Sequence, residues 1–479
     1  MQPINTVPNQ SGTILHKCQR FTPKKLTTEM LDLAEYSPGK KIAGKRFLEH
    51  SFGQGDILVP AVENYIQDAL CQGMSKEEIS TALSNDIYGF ELDEGLFQYT
   101  LERLQGLLDK YQIPNVVWNL QKTDALKWTS PVSFDYIIGN PPYITYSEID
   151  HENQQFLREN YASCKTGKFD YYYAFLELSV KCLNPGGIMV QLIPNNLYKN
   201  VYAKELRQML LPFIQTIYLY PNQQLFQDTL TSVSILSLKA GMSTDHLVCE
   251  NKTDGKKYQI LKSELGEKWI FDSRPSSDSK VRFGDYFHAS NAVATLCNNA
   301  YLLTEDETGT IERELCLPAA SPKSLFLQKK VFILFPYQVT STGSLRIPKE
   351  KFERDYPLAT AHLRKYVNEL QARKADKNAT WYEYGRGQAL QHIHQKKLLM
   401  PSVITKSVSV YALDEHTIPY TGIFITSKSD SNLELAKRIL QSKDFLSYVN
   451  RIGIYMHGKS LRITCQDINN YMFSNKELY

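Results

Sequence analysis

Predicted strands and helices alternate over roughly the first 240 residues, and this alternation constrains the fold more than any other feature of the sequence. Such alternation is typical of a mostly parallel sheet with helices on both faces, in which ligands bind at the carboxyl ends of the strands. Two last strands, at 214–220 and 232–238, are predicted to form a hairpin. The other predicted strands are 47–48, 87–92, 116–119, 134–138 and 188–193, and the predicted helices are 27–34, 58–71, one ending at 108, 171–183 and 202–211.

After Lys239 the sequence becomes polar and rich in turn residues, which indicates a domain boundary near residue 245. The chain has 479 residues, enough for two or three domains. We therefore expect a first domain over 1–245 and a second over 246–479. The second mixes short strands and loops with a long charged helix predicted over 353–373, which is an α+β pattern.

The net charge of +3 conceals a basic segment in the second domain. Between Lys323 and Lys406 there are 16 Lys and Arg against 6 Asp and Glu, a surplus of 10. A block of this kind fits a polyanionic partner such as nucleic acid. A solvated surface is the alternative, and composition alone leaves both open.

Several classes of protein are excluded by the sequence. No run approaches the ~18 apolar residues that a membrane helix requires, and the N-terminal residues lack a signal-peptide pattern. The eight cysteines contain no Cys-x-x-Cys pair, so neither a zinc site nor a disulfide framework is indicated. We expect a cytoplasmic protein that binds no metal and no membrane.

A buried strand within 133–144 leads directly into Asn140-Pro141-Pro142-Tyr143. Two consecutive prolines fix the backbone and remove two N–H donors. The carbonyls and the Asn140 amide would then offer hydrogen-bond acceptors beside the flat ring of Tyr143, an arrangement that suits a planar amine. A proline-rich turn after a strand is the alternative explanation.

The first predicted strand is followed by Glu49 and by a loop that contains Gly53 and Gly55. Glycines let a ligand approach the backbone closely, although a single Gly-x-Gly is a weak signal. Glu49 precedes the loop, where a carboxylate would hold the ammonium group of a ligand.

Acidic residues also follow the second and third strands. Glu91 stands where an acidic side chain commonly accepts hydrogen bonds from ribose hydroxyls, whereas a helix N-cap suits Asp93 better. Asp124 would either accept from an adenine amino group or cap a turn, and the sequence leaves both open.

In this order the motifs resemble the N6-adenine DNA methyltransferases of bacterial restriction–modification systems, in the class with the cofactor region first. The resemblance covers residues from about 20 to 240. One departure is His50, which stands where the family usually has proline, with the bulky Phe52 two residues later. Besides the motifs above, the resemblance rests on Phe21-Thr22-Pro23, Lys168-Phe169-Asp170, Pro185-Gly186-Gly187, Pro194-Asn195-Asn196 and Gln224-Leu225-Phe226.

The resemblance implies a Rossmann-like methyltransferase domain over 1–245, followed by a target-recognition domain over 246–479. It implies S-adenosylmethionine as the cofactor, double-stranded DNA as the partner, a monomer, and any restriction endonuclease encoded as a separate chain. Residues 381–388, Trp-Tyr-Glu-Tyr-Gly-Arg-Gly-Gln, suggest target recognition. The implied catalytic residues are Asn140, Pro141, Tyr143 and Phe226, and the implied cofactor-binding residues are Thr22, Glu49, Gly53, Gly55, Glu91, Asp124 and Asn140.

The activity implied is methyl transfer to the N6 amino group of an adenine flipped out of a specific duplex sequence, where Tyr143 and Phe226 would sandwich the base. Two other functions stay open. A protein-glutamine N5-methyltransferase would use the same acceptors on a side-chain amide, although such enzymes tend to be compact. A catalytically silent DNA-binding subunit would bind DNA through the second domain and would not transfer a methyl group.

Overall fold

The computed structural model describes residues 22–129, 132–226, 229–271, 280–340, 343–428, 432–456 and 460–475, without the side chains of 222–231 and 455. The chain divides into two compact units, Met1–Ser273 and Arg274–Tyr479. Across these described ranges, no helix is both long enough and apolar enough to span a membrane.

The first unit is built on a nine-stranded sheet, as far as its described residues show, with the order β3-β2-β1-β4-β5-β7-β6-β8-β9. Its strands are β1 Phe47–Glu49, β2 Ile87–Phe90, β3 Asn119–Gln121, β4 Phe134–Gly139, β5 Leu183–Pro194, β6 Ile214–Phe226, β7 Thr229–Lys239, β8 His246–Asn251 and β9 Lys257–Leu261. Its helices are α1 Lys24–Leu33, α2 Leu58–Cys71, α3 Lys76–Asp86, α4 Glu94–Tyr111, α5 His151–Asn160, α6 Tyr172–Cys182 and α7 Lys204–Leu210.

Strands β1 to β5 are mutually parallel, so their carboxyl ends lie at one edge of the sheet. The strand order reverses at β1 and β4, where ligands bind in open α/β sheets. Strand β7 runs antiparallel to both β5 and β6, which confirms the predicted hairpin. The mixed α/β class with a mostly parallel sheet is confirmed.

Both faces of this sheet are buried. Within β1, Phe47 packs into one hydrophobic cluster and the next residue, Leu48, into another, because successive side chains of a strand point to opposite faces. Helix α2 has the predicted bounds, whereas α3 was not predicted. The sequence does contain a signal for the start of α3, because Ser75 and Glu78 form a capping box.

The first unit extends beyond residue 245, where the sequence predicted a boundary. Strand β8 pairs in parallel with β6, and β9 pairs with β8, so the segment predicted to begin a second domain completes the first sheet. Trp269 and Phe271 also belong to a hydrophobic core of the first unit. The polar stretch near residue 253 is the turn of a hairpin, which has the same composition as a linker.

The second unit is α+β, with small sheets and short helices. Its strands are β10 Lys280–Arg282, β11 Phe287–Asn291, β12 Leu302–Leu303, β13 Cys316–Ala320, β14 Val331–Leu334, β15 Tyr337–Thr340, β16 Gly343–Arg346, β17 Lys397–Met400, β18 Val403–Ile404, β19 Tyr411–Leu413, β20 Ile418–Pro419, β21 Ile423–Ser427, β22 Ile454–Tyr455, β23 Leu461–Arg462 and β24 Met472–Ser474. Its helices are α8 Phe283–Tyr286, α9 Asn298–Tyr301, α10 Pro322–Phe326, α11 Lys349–Asp355, α12 Pro357–Arg364, α13 Val367–Ala372, α14 Leu433–Leu440, α15 Lys443–Ile452 and α16 Cys465–Asn469.

The prediction of one long charged helix over 353–373 is wrong. Three short helices, α11, α12 and α13, occupy this part of the chain. Pro357 is the first residue of α12, and the residue before a proline is disfavoured in the helical conformation. Tyr356 accordingly leaves the helix, with φ −126° and ψ 64°.

Candidate active site

The loop after β1 supplies an open stretch of backbone. Gly53 and Gly55 both have positive φ, at 54° and 81°. A Cβ at Gly55 would lie 2.8 Å from Thr100 Cγ2, whereas a Cβ at Gly53 would meet nothing within 4 Å. Packing on α4 therefore requires glycine at Gly55, and the backbone at Gly53 stays accessible to a ligand.

Glu49 places a buried carboxylate beside this loop. Its side chain is 2% exposed, and Oε2 has no hydrogen-bond partner among the described residues. Burial raises the pKa of Glu49 well above its usual range, and the nearby carboxylates of Asp56 and Glu91 raise it further. A carboxylate in this setting is suited to receive a cationic or N–H-donating group.

Glu91 accepts three backbone hydrogen bonds. Oε2 accepts from the Gly53 N–H at 2.8 Å, and Oε1 accepts from the N–H groups of Leu92 and Asp93, each at 2.9 Å. Burial is the main cause of its raised pKa. Glu91 thus links the glycine loop to the end of β2, and its carboxylate oxygens have further lone pairs available to a ligand. Asp93, and not Glu91, caps α4 through the Leu96 N–H at 2.9 Å, as predicted.

Asp124 follows β3 and caps a short 3-10 turn. Its Oδ1 accepts from the Leu126 N–H at 2.9 Å, and Oδ2 lies 3.5 Å from the Tyr171 hydroxyl. The turn-capping alternative is therefore present in the structure. Burial raises the pKa of Asp124. Its role toward an adenine amino group stays a prediction.

Asn140 stands immediately after β4, at the same edge of the sheet as Glu49 and Glu91. Its Nδ2 donates to the Thr22 hydroxyl at 3.2 Å, so the structure brings together two of the predicted site residues. The adjoining Pro141 is buried. The Asn140 amide is thereby hydrogen-bonded to a residue from the beginning of the described chain, and the next residue, Pro141, has a rigid backbone.

Tyr143 completes this segment. Its hydroxyl donates to the Leu192 carbonyl at 3.1 Å, and its ring contacts Tyr172 edge to face, with 6.3 Å between ring centroids. The side chain is half-buried, so it stays accessible to a partner. Phe226, the second predicted aromatic clamp, ends β6, but its side chain lies outside the described residues. The pairing of these two rings stays a prediction.

His50 and Phe52, which depart from the family pattern, are buried core residues. The His50 Nε2 lies 2.9 Å from Ser179 Oγ, and burial lowers the pKa of His50 to about 3, so the imidazole is neutral. The Phe52 ring occupies the space that a Cβ at Gly89 would fill, since Phe52 Cδ1 would lie 2.8 Å from it. Neither side chain disturbs Gly53.

Two further candidate residues, Asp170 and Asn195, belong to motifs that the resemblance used without assigning them a site role. Burial raises the pKa of Asp170 to about 7, and Glu148 adds to the effect. The Oδ1 of Asn195, directly after β5, is buried without a hydrogen-bond partner in the described structure. Their positions, before α6 and after a parallel strand, were the available signals.

The central residues of the motif at 381–388 are buried, whereas Arg386 and Gln388 are exposed. Tyr382, Glu383 and Tyr384 are no more than 1% exposed, and the Tyr384 hydroxyl donates to the Leu334 carbonyl at 2.9 Å. These three residues cannot contact a partner from inside the core of the second unit. Among the residues that the structure describes, no group of three or more His, Cys, Asp or Glu side chains is arranged to hold a metal ion.

Comparison with known proteins confirms the resemblance to restriction–modification methyltransferases. Residues 65–226 match the Eco57I restriction-modification methylase family. The Type II methyltransferase M.BstVI of Geobacillus stearothermophilus is 22% identical, with 93% of this chain and 88% of that protein aligned. The Type II restriction enzyme and methyltransferase RM.Eco57I of Escherichia coli is 23% identical, but the alignment covers 68% of this chain and only 39% of that protein.

Solved structures share the fold. The Type IIL restriction-modification enzyme MmeI in complex with DNA aligns with a TM-score of 0.60 and 13% identity, over 95% of this chain and 64% of that one. The ATP-dependent Type ISP enzyme LlaBIII bound to DNA aligns with a TM-score of 0.51 and 12% identity, over 90% of this chain and 37% of that one. At such identities the similarity establishes the architecture alone.

Proposed function

We propose that this protein transfers a methyl group from S-adenosylmethionine to the N6 amino group of an adenine flipped out of a specific double-stranded DNA sequence. The Asn140 amide, held by Thr22 at the carboxyl end of β4 beside Pro141 and Tyr143, is the observation that carries the proposal. The relatives, which are Type II methyltransferases, support methylation of DNA as the general activity.

The residues at the strand ends fit S-adenosylmethionine, which supplies a methyl group already activated on a sulfonium. The buried Oε2 of Glu49 lacks a partner in the described structure and suits the ammonium group of the methionine end. The lone pairs left on Glu91 suit ribose hydroxyls, and the open backbone at Gly53 lets the cofactor approach. Thr22, Gly55 and Asp124 complete the proposed set.

Positioning of the amine is the proposed catalytic role of Asn140 and Pro141. The lone pair of the adenine N6 is delocalised into the ring, which makes N6 a weak nucleophile. Acceptance of both N–H groups by the Asn140 and Pro141 carbonyls would favour a pyramidal nitrogen and direct its lone pair at the methyl group. The Tyr143 ring, and that of Phe226, would stack on the flipped base at about 1–3 kcal/mol per face.

Methyl incorporation into duplex DNA, followed by analysis of the methylated nucleoside, tests the proposal. We expect N6-methyladenine as the product. Asn140→Ala should abolish transfer while S-adenosylmethionine and DNA binding stay near the parent values. Tyr143→Phe keeps the ring but loses the hydrogen bond to Leu192, and it should retain substantial activity.

A methylated cytosine as the product, or near-parent activity in Asn140→Ala, would overturn the assignment. Methylation of a protein glutamine with DNA left unmodified would favour the other class. The second unit, Arg274–Tyr479, is the proposed target-recognition region because it contains the basic segment. We propose that the enzyme acts as a monomer and that any partner endonuclease is a separate chain.

A further inference from the structure

The hairpin formed by β15 and β16 stands apart from the other sheets of the second unit. In the described structure each of its strands pairs only with the other, with Gln338 opposite Leu345 and Val339 opposite Ser344. Because successive side chains alternate between faces, Gln338 and Leu345 share one face, and Val339 and Ser344 share the opposite one. The two faces have different surroundings.

One face is anchored to the core of the second unit. The Tyr337 side chain is 5% exposed, and its hydroxyl accepts from the Tyr384 N–H at 2.8 Å. The Ser344 hydroxyl lies 2.8 Å from His394 Nε2. These contacts hold the hairpin on its inner side, which gives the outer side a fixed orientation relative to the second unit.

The outer face is open to solvent. Gln338 is exposed, and its cross-strand partner Leu345 is 58% exposed. Val339, on the inner face opposite Ser344, is 50% exposed. Because the inner side of the hairpin is anchored and Leu345 is exposed on the outer face, this face is available for contact with a partner.

The surroundings of the hairpin are basic. Arg346, its last residue, reaches the Asn378 carbonyl at 2.8 Å, beside the exposed Lys377 and close in sequence to the exposed Lys374. Lys349 follows the hairpin and is exposed, although Glu350 next to it is exposed too. Two other carboxylates nearby are already paired, since Glu383 lies 3.2 Å from Arg346 and Asp376 lies 2.6 Å from Arg386. This charge complements the phosphates of DNA.

We infer that the outer face of this hairpin enters the major groove of the DNA substrate, where Gln338 and Leu345 contact base edges and determine part of the recognition sequence. Two paired strands are ~4.8 Å apart, and a groove ~12 Å wide admits such a ribbon. The Gln338 amide offers N–H donors beside a carbonyl acceptor, the pattern that pairs with adenine, and Leu345 offers an apolar surface to a thymine methyl group. This inference rests on the proposed function.

Methylation of a duplex library with randomised positions tests the inference, because it reports discrimination at each base pair. Gln338→Ala and Leu345→Ala should each lose about 5- to 100-fold of the discrimination at one or two base pairs, with an unchanged salt dependence of DNA binding. Leu358→Ala is the matched control, since Leu358 is 51% exposed on α12 of the same unit. It should leave discrimination unaltered.

Lys349→Ala supplies the contrasting result. Loss of a phosphate contact should weaken binding to all sequences alike and reduce the slope of log affinity against log salt by about one. Parent-like discrimination in both Gln338→Ala and Leu345→Ala would overturn this inference and leave the proposed function standing. A changed oligomeric state in Leu345→Ala, together with parent-like discrimination, would also overturn the inference, because this face would then be a protein interface. A parent enzyme that methylates no duplex would overturn the proposed function as well.

Discussion

The Asn140 side-chain amide donates a hydrogen bond to the Thr22 hydroxyl at 3.2 Å, across 118 positions of sequence. An amide carries its donor and its acceptor on opposite sides of one carbon, so a donor held by Thr22 turns the Asn140 carbonyl oxygen away from Thr22. Thr22 therefore orients the group proposed to accept from the adenine amine, besides its predicted contact with the cofactor.

Thr22→Val, which keeps the shape and removes the hydroxyl, should lower the rate of methyl transfer by about 3- to 10-fold, because one neutral hydrogen bond contributes roughly 0.5–1.5 kcal/mol. Thr22→Ser should retain most of the activity. Single-turnover kinetics with saturating cofactor measures the chemical step separately from cofactor binding. Equal rates for Thr22→Val and the parent would show that Asn140 keeps its orientation without this bond.

Glu49→Gln should weaken S-adenosylmethionine binding by about 1.5–3 kcal/mol, the usual scale for a charge-assisted hydrogen bond. The raised pKa of Glu49 adds a pH dependence. The ionised form is the one proposed to bind the ammonium group of the cofactor, so affinity should rise as the pH increases above ~4.3, the ordinary pKa of glutamate. Calorimetry of both proteins over this range should show a flatter profile for Glu49→Gln. Identical profiles would remove Glu49 from the site.

Glu91→Ala should reduce both cofactor affinity and stability. The affinity loss should be about 1.5–3 kcal/mol, and three backbone N–H groups lose their acceptor at the same time. Asp93→Ala is the matched control, because the Asp93 side chain caps α4 and its loss should cost ~1 kcal/mol of folding stability. Calorimetry and urea denaturation separate the two effects. A Glu91→Ala enzyme with parent affinity would limit Glu91 to a structural role.

Local sequence signals predicted the elements that local interactions determine. The bounds of α2 follow from its apolar spacing, and the β6–β7 hairpin from two adjacent apolar runs. The missed helix α3 buries few apolar residues, Ile79 and Leu83 among them, so periodicity alone was too weak to reveal it. The end of the first unit depends on the pairing of β8 with β6, a non-local contact that the composition of the segment does not encode.

In the candidate site, too, the sequence predicted what local signals determine and missed what non-local contacts determine. Strand order places Glu49, Glu91 and Asn140 at one edge of the sheet, and the alternation of strands and helices was sufficient to predict that edge. The sequence could not show that Glu91 binds Gly53 or that Thr22 binds Asn140, because these contacts join distant segments. The sequence also could not show which residues of the segment 381–388, expected to take part in target recognition, are accessible: tertiary packing buries Tyr382 and Tyr384.

Asp170→Asn should stabilise the protein at pH 8 and make little difference near pH 4. Burial raises the pKa of Asp170 from 3.8 to about 7, so the folded state binds more protons than the unfolded state between these values. Stability is therefore lost as the pH rises through this interval, and Asn removes the loss. Urea denaturation at both pH values measures the difference. A pH-independent effect of Asp170→Asn would contradict the raised pKa.

A fragment that begins at residue 274 should fold and bind DNA with a steep salt dependence, whereas a fragment that begins at 246 should aggregate. The longer fragment carries β8 and β9 without β6, and it exposes Leu247 and Cys249, which are at most 1% exposed in the whole chain. The complementary fragment 1–245 should be destabilised relative to 1–273, because it loses Trp269, which stacks on Tyr198 with 6.0 Å between ring centroids. Size-exclusion chromatography and thermal unfolding of the four fragments test this. A soluble, cooperatively folded 246–479 fragment would restore the boundary that the sequence predicted near residue 245.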